Sequence, residues 1–154
     1  ANAGELERLR GYDTSVVAGR VADGHHGYLI RVDGQPAAIR WMIRDGFDLS
    51  FLHRRIELAA TDVYLGELYT APAYRRHNLQ FAAGYWIRLD LAEAGYTRIV
   101  TFVASWNAAA RSLARQARWE TLGEVAFWGV PGLRHFTFEG KVRGVGRDTI
   151  VIDP

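Results

Sequence analysis

The chain has 154 residues, of which 49% are hydrophobic, so one globular domain with a substantial core is the simplest expectation. A net charge of only +2 gives no sign of nucleic-acid binding, and the lack of cysteine excludes disulfides, thiol nucleophiles and thiolate metal sites. No apolar run is long enough to cross a bilayer, so the sequence predicts no membrane span.

The first elements predicted from the sequence are helical. Residues 3–22 fit a helix that breaks at Gly11, after which Asp13 is placed to cap a second helix. Two adjacent histidines, His25 and His26, follow this region. They are either solvated loop residues or a metal-binding pair.

A β-hairpin and a longer strand come next. Residues 27–32 and 36–43 are rich in β-branched and aromatic side chains and flank Asp33-Gly34, a favoured tight-turn pair. Residues 47–61 fit either a strand or a helical turn, and we expect them to form a lid or a substrate-side segment. Residues 63–70 are predicted to form the next strand.

The second half of the chain alternates helices with strands. A helix is predicted to begin at Leu79 and to stop near Gly95. Residues 97–104 then form a short apolar strand of the kind that is covered on both faces. Strand, helix and strand at this spacing predict a parallel crossover. Asn107 then opens a helix over residues 108–118.

The C-terminal region is predicted to be mostly extended. Residues 124–130 and 134–138 fit two strands joined through Pro131-Gly132. Residues 140–154 contain three glycines and end in the apolar stretch 149–152. This pattern predicts a loose extension with one more short strand.

The joint between the strand over residues 63–70 and the helix from Leu79 has the chemistry of an anion site. The N–H groups at a helix N-terminus lack intrahelical partners and carry the positive end of the helix dipole. Arg75 and Arg76 add positive charge and fork-shaped donors beside them. An ordinary strand-to-helix turn with solvated arginines is the alternative.

The order of elements and the residues at their joints resemble the GNAT superfamily of acyl-CoA-dependent N-acyltransferases. The run Leu68-Tyr69-Thr70-Ala71-Pro72-Ala73-Tyr74-Arg75 matches the lead-in to the family's pyrophosphate loop position by position. Asn107 and Ala110 match a second family pattern after the next strand, and Arg118-Trp119 stands where the family has Gly-Phe. The resemblance covers residues 24–138 and is tightest over 63–125.

The resemblance implies an α+β fold of the GNAT type. Its central sheet is mixed but mostly antiparallel, it is flanked by helices, and two central parallel strands splay apart in a V. It also implies acetyl-CoA or another acyl-CoA as co-substrate, bound through strand backbone and loop amides. The residues that it assigns to this binding are Leu68, Thr70, Arg75, Arg76, His77, Asn78, Leu79, Gln80, Phe81, Asn107 and Arg111.

Three positions depart from the family pattern. Asn78 and Gln80 stand where the family loop has small residues. Asn enters the left-handed region more readily than most residues, whereas the bulkier Gln80 could turn away, donate to a phosphate or block part of the site. Ala114 occupies the place of the tyrosine that often protonates the leaving thiolate in this family.

Glu67 and Tyr69 are the candidate catalytic residues. By resemblance, Glu67 lies on the splayed strand, where an acidic residue deprotonates the amine directly or through water. It is equally well explained as a solvent-facing or ion-paired strand residue. Tyr69 is a candidate acid, although its ring also suits core packing. Tyr64 and Asp62 are weaker candidates for proton transfer. His77 suits phosphate contact or solvation, His53 either faces the acceptor or is a solvated loop residue, and His135 is read as structural.

The sequence therefore predicts an N-acyltransferase that passes an acyl group from acyl-CoA to a small-molecule or peptide amine. No nucleic-acid partner is predicted, and the cytoplasm is the expected compartment. A homodimer and a longer parent chain are the alternatives for the assembly of the chain, and the start at Ala1 without Met fits a chain cut from something longer. A GNAT-like binding or interaction domain without catalysis is the main rival. A third reading keeps the fold but uses another acyl donor.

Overall fold

The computed structural model describes residues 3–11, 13–130 and 133–154. Two short helices open the fold, α1 (Ala3–Arg10) and α2 (Thr14–Ala22), and Asp13 caps α2 by accepting a hydrogen bond of 2.8 Å from Ser15 N–H. The predicted break and cap are therefore confirmed. Both helices pack their apolar side chains against Ile39 and Trp41 of the sheet.

The central sheet has the strand order β1-β2-β5-β6. Its strands are β1 (His26–Val32), β2 (Gln35–Ile43), β5 (Asp62–Thr70) and β6 (Arg98–Val100). The β1-β2 and β2-β5 pairs are antiparallel, and β5-β6 is parallel, as the crossover predicted. The turn between β1 and β2 places Asp33 and Gly34 at positive φ, as a tight hairpin requires.

Helix α3 (Leu79–Glu93) connects β5 to β6 and covers the opposite face of this sheet from α1 and α2. Its side chains Ile87 and Leu91 pack on Met42 and Leu65. Because adjacent strand residues point to opposite faces, Trp41 meets the N-terminal helices while Met42 meets α3. The loop before α3 contains a short 3-10 helix, Pro72–Tyr74.

The two parallel strands pair over only three residues each. Asp62, Val63 and Tyr64 lie opposite Arg98, Ile99 and Val100, and the pairing ends there. Arg98 donates from Nε and Nη2 to both carboxylate oxygens of Asp62, at 2.9 Å and 2.5 Å. These hydrogen bonds hold β5 and β6 together at the closed end of the splay. The predicted V-shaped splay is therefore confirmed, with its vertex at Tyr64 and Val100.

The predicted strand over residues 97–104 is too long at its C-terminal end. Residues 101–104 leave the sheet without strand pairing because β5 and β6 diverge after Val100. Helix α4 (Ala108–Gln116) follows, two residues shorter at its end than predicted. Asn107 caps it, since its side-chain oxygen accepts from Ala110 N–H at 3.1 Å.

A second sheet, with strand order β3-β4-β10-β9, was missed by the sequence analysis. Its strands are β3 (Phe47–Leu49), β4 (Arg54–Glu57), β9 (Val142–Val145) and β10 (Thr149–Ile152). Of the two alternatives for residues 47–61, the strand is the one present, as β3 and β4. These strands and the expected loose extension after residue 140 are joined in one sheet and do not form a lid. Buried Ile56, Val142 and Ile150 form its core, and Thr149–Ile152 confirms the short strand predicted there.

Strands β7 (Gly123–Val130) and β8 (Leu133–Gly140) form an antiparallel hairpin, as predicted. The predicted Pro131-Gly132 turn lies outside the described residues. No helix in the described part of the chain is long and apolar enough to cross a membrane.

Candidate active site at the splayed strands

Strand β5 carries a bulge where it leaves the vertex of the splay. Gly66 lies opposite Trp41 and Tyr69 lies opposite Ile39, so Glu67 and Leu68 together face a single residue of β2. Glu67 takes a left-handed conformation, with φ of 46°. The bulge sets Glu67 and the following residues apart from the regular pleat, at the open part of the V.

The backbone of β5 beyond the bulge presents an open edge. Ala71 N–H donates to Ala37 O at 2.9 Å. Because hydrogen-bonded pairs alternate with non-hydrogen-bonded pairs along antiparallel strands, Tyr69 also faces β2 through its backbone N–H and C=O groups. The backbone groups of Leu68 and Thr70 therefore point away from β2, into the gap left by β6. One of them is engaged, because Arg75 Nε donates to Thr70 O at 3.2 Å.

The loop after β5 holds a row of unengaged donors. None of the backbone N–H groups from Arg76 to Gln80 has an acceptor among the described residues, whereas Phe81 and Ala82 both donate to Asn78 O at 3.0 Å. Arg76 and Asn78 lie at positive φ, 67° and 55°, which folds the loop tightly into α3. Asn78 thus adopts the conformation for which the family pattern uses a small residue.

Gln80 turns its side chain away from this loop. Its amide nitrogen lies within hydrogen-bond distance of Tyr69 O (3.1 Å), Thr70 Oγ1 (3.2 Å) and Ile39 O (3.4 Å). These acceptors belong to β2 and β5, so the side chain rests on the α3 face of the sheet and not between β5 and β6. Of the three outcomes considered for Gln80, the structure has the one in which it turns away.

The other predicted loop residues are placed at the surface. Arg75, Arg76, His77 and Asn78 are exposed, Leu79 is half-buried, and Phe81 is 46% exposed. Across the splay, Arg111 Nη1 donates to Ser105 O at 3.1 Å, which orders the entry to α4. The structure therefore brings most of the predicted binding residues to the strand–loop–helix joint, with Asn107 and Arg111 on the far arm.

A cleft of about 1020 Å³ lies beyond β6, between the segment that follows it, α4 and the second sheet. Ala114 and Trp119 both line it. Arg111 and Arg115 also line this cleft and give it positive charge.

Glu67, the predicted base, forms an ion pair that the sequence did not reveal. Arg20 Nη2 of α2 lies 2.7 Å from Glu67 Oε1, and the Arg20 guanidinium stacks 5.0 Å from the centre of the Trp41 ring. The charge of Arg20 also acts on His25. Burial, as the main cause, and the charge of Arg20, as the second, lower the pKa of the His25 imidazole. Its Nδ1 is buried without a hydrogen-bond partner among the described residues.

The two tyrosines that share β5 with Glu67 differ in their surroundings. Tyr69 packs against the apolar cluster of α1, α2 and β2, which fits the core-packing alternative. Tyr64 stacks on Phe47 with ring centres 3.8 Å apart. Burial, and then the charge of Glu67, raise the pKa of Tyr64 to about 12, so its hydroxyl keeps its proton at neutral pH.

The remaining histidines do not join this site. His26 contacts Arg44 at 2.8 Å, His53 lies in an exposed turn, and His135 packs against Trp128. No cluster of metal-ligating side chains exists in the described ranges. The structure therefore gives no support to a metal-binding histidine pair.

Known proteins match this chain through their structures. No protein-family model and no curated protein matches the sequence. The chain resembles the ribosomal-protein-S18-alanine N-acetyltransferase of Escherichia coli with a TM-score of 0.56 and 15% identity, over 74% of this chain and 68% of that one. It resembles the aminoglycoside 6'-N-acetyltransferase AAC(6')-Ih of Acinetobacter baumannii with a TM-score of 0.62 and 12% identity, over 84% and 94%.

A third match, the aminoglycoside N-acetyltransferase AAC(6')-Iy in complex with CoA, has a TM-score of 0.61 and 16% identity over 84% of this chain and 96% of that one. The splayed sheet, the bulged strand and the loop at the start of α3 define an α+β fold, and it is in fold that the chain resembles these solved N-acetyltransferases. The fold is that of the GNAT superfamily, which confirms the fold predicted from the sequence.

Proposed function

We propose that the chain is an N-acyltransferase that moves an acetyl or other acyl group from acyl-CoA to an amine. The observation that carries this proposal is the row of N–H groups from Arg76 to Gln80, which have no acceptor among the described residues. Donors in that arrangement at a helix N-terminus bind phosphate groups. Beside them, Leu68 and Thr70 offer strand edges with which an extended pantetheine could pair.

In this proposal the amine attacks the thioester carbonyl directly, while both substrates are held in the splay. The nitrogen–carbon bond forms, the Leu68 N–H at the open edge stabilises the negative charge on the carbonyl oxygen, and the carbon–sulfur bond then breaks. Glu67 takes the proton that the amine nitrogen gives up. Arg20 holds the Glu67 carboxylate at the bulge through the 2.7 Å contact.

The acceptor is proposed only as a small-molecule or peptide amine. The solved neighbours include enzymes named for a ribosomal-protein alanine and for aminoglycosides, two chemically different amines. The exposed loop residues and the net charge of +2 favour neither. The cytoplasmic location is part of the same proposal.

A domain that binds CoA or a partner without catalysis is the second candidate. Two observations favour it: Ala114 cannot protonate a thiolate, and the predicted base is held in an ion pair. This candidate retains CoA binding but predicts no turnover.

The test is a transfer assay with the purified chain, acetyl-CoA and a panel of primary amines that includes amino sugars and short peptides. Thiol release coupled to a mass increase of the acceptor supports the enzyme. CoA binding without transfer to any amine supports the non-catalytic candidate. Failure to bind either CoA or acetyl-CoA at millimolar concentration contradicts the enzyme and the CoA-binding form of the second candidate, and leaves a domain that binds a partner.

A further inference from the structure

Tyr64 occupies the vertex of the splay, where the pairing between β5 and β6 ends. Its ring lies over Gly66, so closely that a methyl group at residue 66 would collide with the ring and with the hydroxyl oxygen. The side chain therefore runs along β5 toward the open part of the V. Glycine at position 66 is what leaves room for it.

The ring is fixed by packing against the second sheet. It stacks on Phe47 of β3, and it packs on the apolar cluster to which Phe47 belongs. Phe102, on the segment that leaves β6, packs on the same cluster. Such packing holds the hydroxyl in one place, which is what a proton donor requires.

The hydroxyl is available for chemistry. No described residue forms a hydrogen bond with it, and it is not among the fully buried polar atoms. Glu67, three residues along β5, is the charged group that acts on it. The phenol and the carboxylate are therefore carried by the same strand, β5, on which Tyr64 reaches over Gly66 toward the bulge at Glu67.

The proposed reaction needs an acid at this point. A thiolate leaves the tetrahedral intermediate, and a positioned acid that protonates it accelerates transfer by about 10² to 10⁴-fold. Ala114, which lines the cleft beyond β6, cannot serve. Tyr69 is packed in the cluster beneath α1 and α2.

We propose that Tyr64 is the general acid of the transfer and donates its hydroxyl proton to the sulfur of CoA as the carbon–sulfur bond breaks. The proton balance closes within the site. The amine nitrogen loses one proton to Glu67, the sulfur gains one from Tyr64, and the tyrosinate recovers one from protonated Glu67. The products are an amide and a free thiol. This inference rests on the proposed acyl transfer from acyl-CoA.

The first test is Tyr64→Phe, which keeps the stacking ring and removes only the hydroxyl. The expected result is a kcat lowered about 100-fold or more, with the Kd for acetyl-CoA unchanged by calorimetry. Tyr85→Phe is the matched control, because Tyr85 is 53% exposed on α3 and lies outside the site. It should retain the wild-type kcat.

A second variant keeps the hydroxyl but makes it more acidic. With 3,5-difluorotyrosine at position 64, the fall of kcat at high pH should begin at a lower pH than in the wild type. A purely structural tyrosine would leave the pH profile in place. This variant also carries the test if Tyr64→Phe fails to fold.

The outcomes separate the two proposals. Wild-type turnover by Tyr64→Phe, or loss of acetyl-CoA binding in step with kcat, overturns the role of Tyr64 and leaves the transferase standing. An unshifted pH profile in the fluorinated protein does the same. A wild-type chain that acylates no amine overturns both.

Discussion

Arg20 of α2 and Glu67 of β5 lie 47 positions apart in the sequence and form an ion pair of 2.7 Å at the bulge. The pair joins the N-terminal helices to the strand that would hold the acyl donor. The Arg20 side chain is 20% exposed and that of Glu67 is 41% exposed, so solvent and substrate can reach the carboxylate.

Substitutions in the Arg20–Glu67 pair distinguish a catalytic base at Glu67 from a purely structural ion pair. If Glu67 is the base, Glu67→Gln should lower kcat about 100-fold or more with CoA affinity unchanged, whereas Arg20→Gln, which keeps the carboxylate, should lower it far less. Steady-state kinetics with calorimetry measures both. Equal losses in the two variants, or an unchanged rate in Glu67→Gln, would remove Glu67 from the base role.

Asn78 should tolerate glycine and reject a β-branched residue. Its φ of 55° is accessible to Asn and Gly, but costs a β-branched side chain about 1–2 kcal/mol. Asn78→Val should therefore lower the free energy of unfolding by about that amount and weaken CoA binding, while Asn78→Gly keeps both. Urea unfolding and calorimetry provide the measurements. Equal behaviour of the two variants would contradict this account of the loop.

Gln80 should act on stability rather than on CoA binding. Gln80→Ala removes the hydrogen bonds to Tyr69 O and Thr70 Oγ1, and should lower the free energy of unfolding by about 1–2 kcal/mol. The Kd for CoA should stay the same, because the side chain lies away from the loop. CoA binding that tightens about tenfold in Gln80→Ala would show that the side chain obstructs the site.

His25 should make stability depend on pH. Burial foremost, with the charge of Arg20, lowers its pKa in the folded chain, so the unfolded chain binds more protons as pH falls. The contribution of neutral His25 to the free energy of unfolding is complete above the ordinary histidine pKa of about 6.5. It is lost as the pH falls toward the lower pKa that His25 has in the folded chain. Stability of His25→Gln should fall less steeply from pH 7 to pH 5 than that of the wild type, as measured by urea unfolding. Parallel curves for the two proteins would contradict the shift.

The central fold was predictable because its signals are local. The Asp33-Gly34 turn, the cap at Asp13 and the Asn107 helix start are each written in a few adjacent residues, and the structure confirms them. The second sheet was not predictable from local signals. Strands β3 and β4 are only three and four residues long, and β10 pairs with β4 between residues 94 positions apart, Thr149 and Arg55. Strands that short carry too little alternation to be recognised.

Features of the site that depend on backbone conformation could be predicted from the sequence. Features that depend on the direction in which a side chain points could not. Asn78 was recognised as a residue suited to the left-handed region, which it occupies. The direction of Gln80, the Arg20 partner of Glu67 and the position of Tyr64 over Gly66 all depend on contacts across the fold. Asp62, rated a weak catalytic candidate, is instead tied to Arg98 at the vertex. A glycine two residues after a strand tyrosine is the sequence signal that could have raised Tyr64 above a weak candidate.

Calorimetric titration with CoA, and with pantetheine, which lacks the pyrophosphate and the nucleotide attached to it, tests the central claim most directly. The N–H groups from Arg76 to Gln80 should hold the pyrophosphate, so CoA should bind one molecule per chain and pantetheine should bind at least about 100-fold more weakly. Equal affinity for the two ligands, or no binding of CoA at millimolar concentration, would contradict the account.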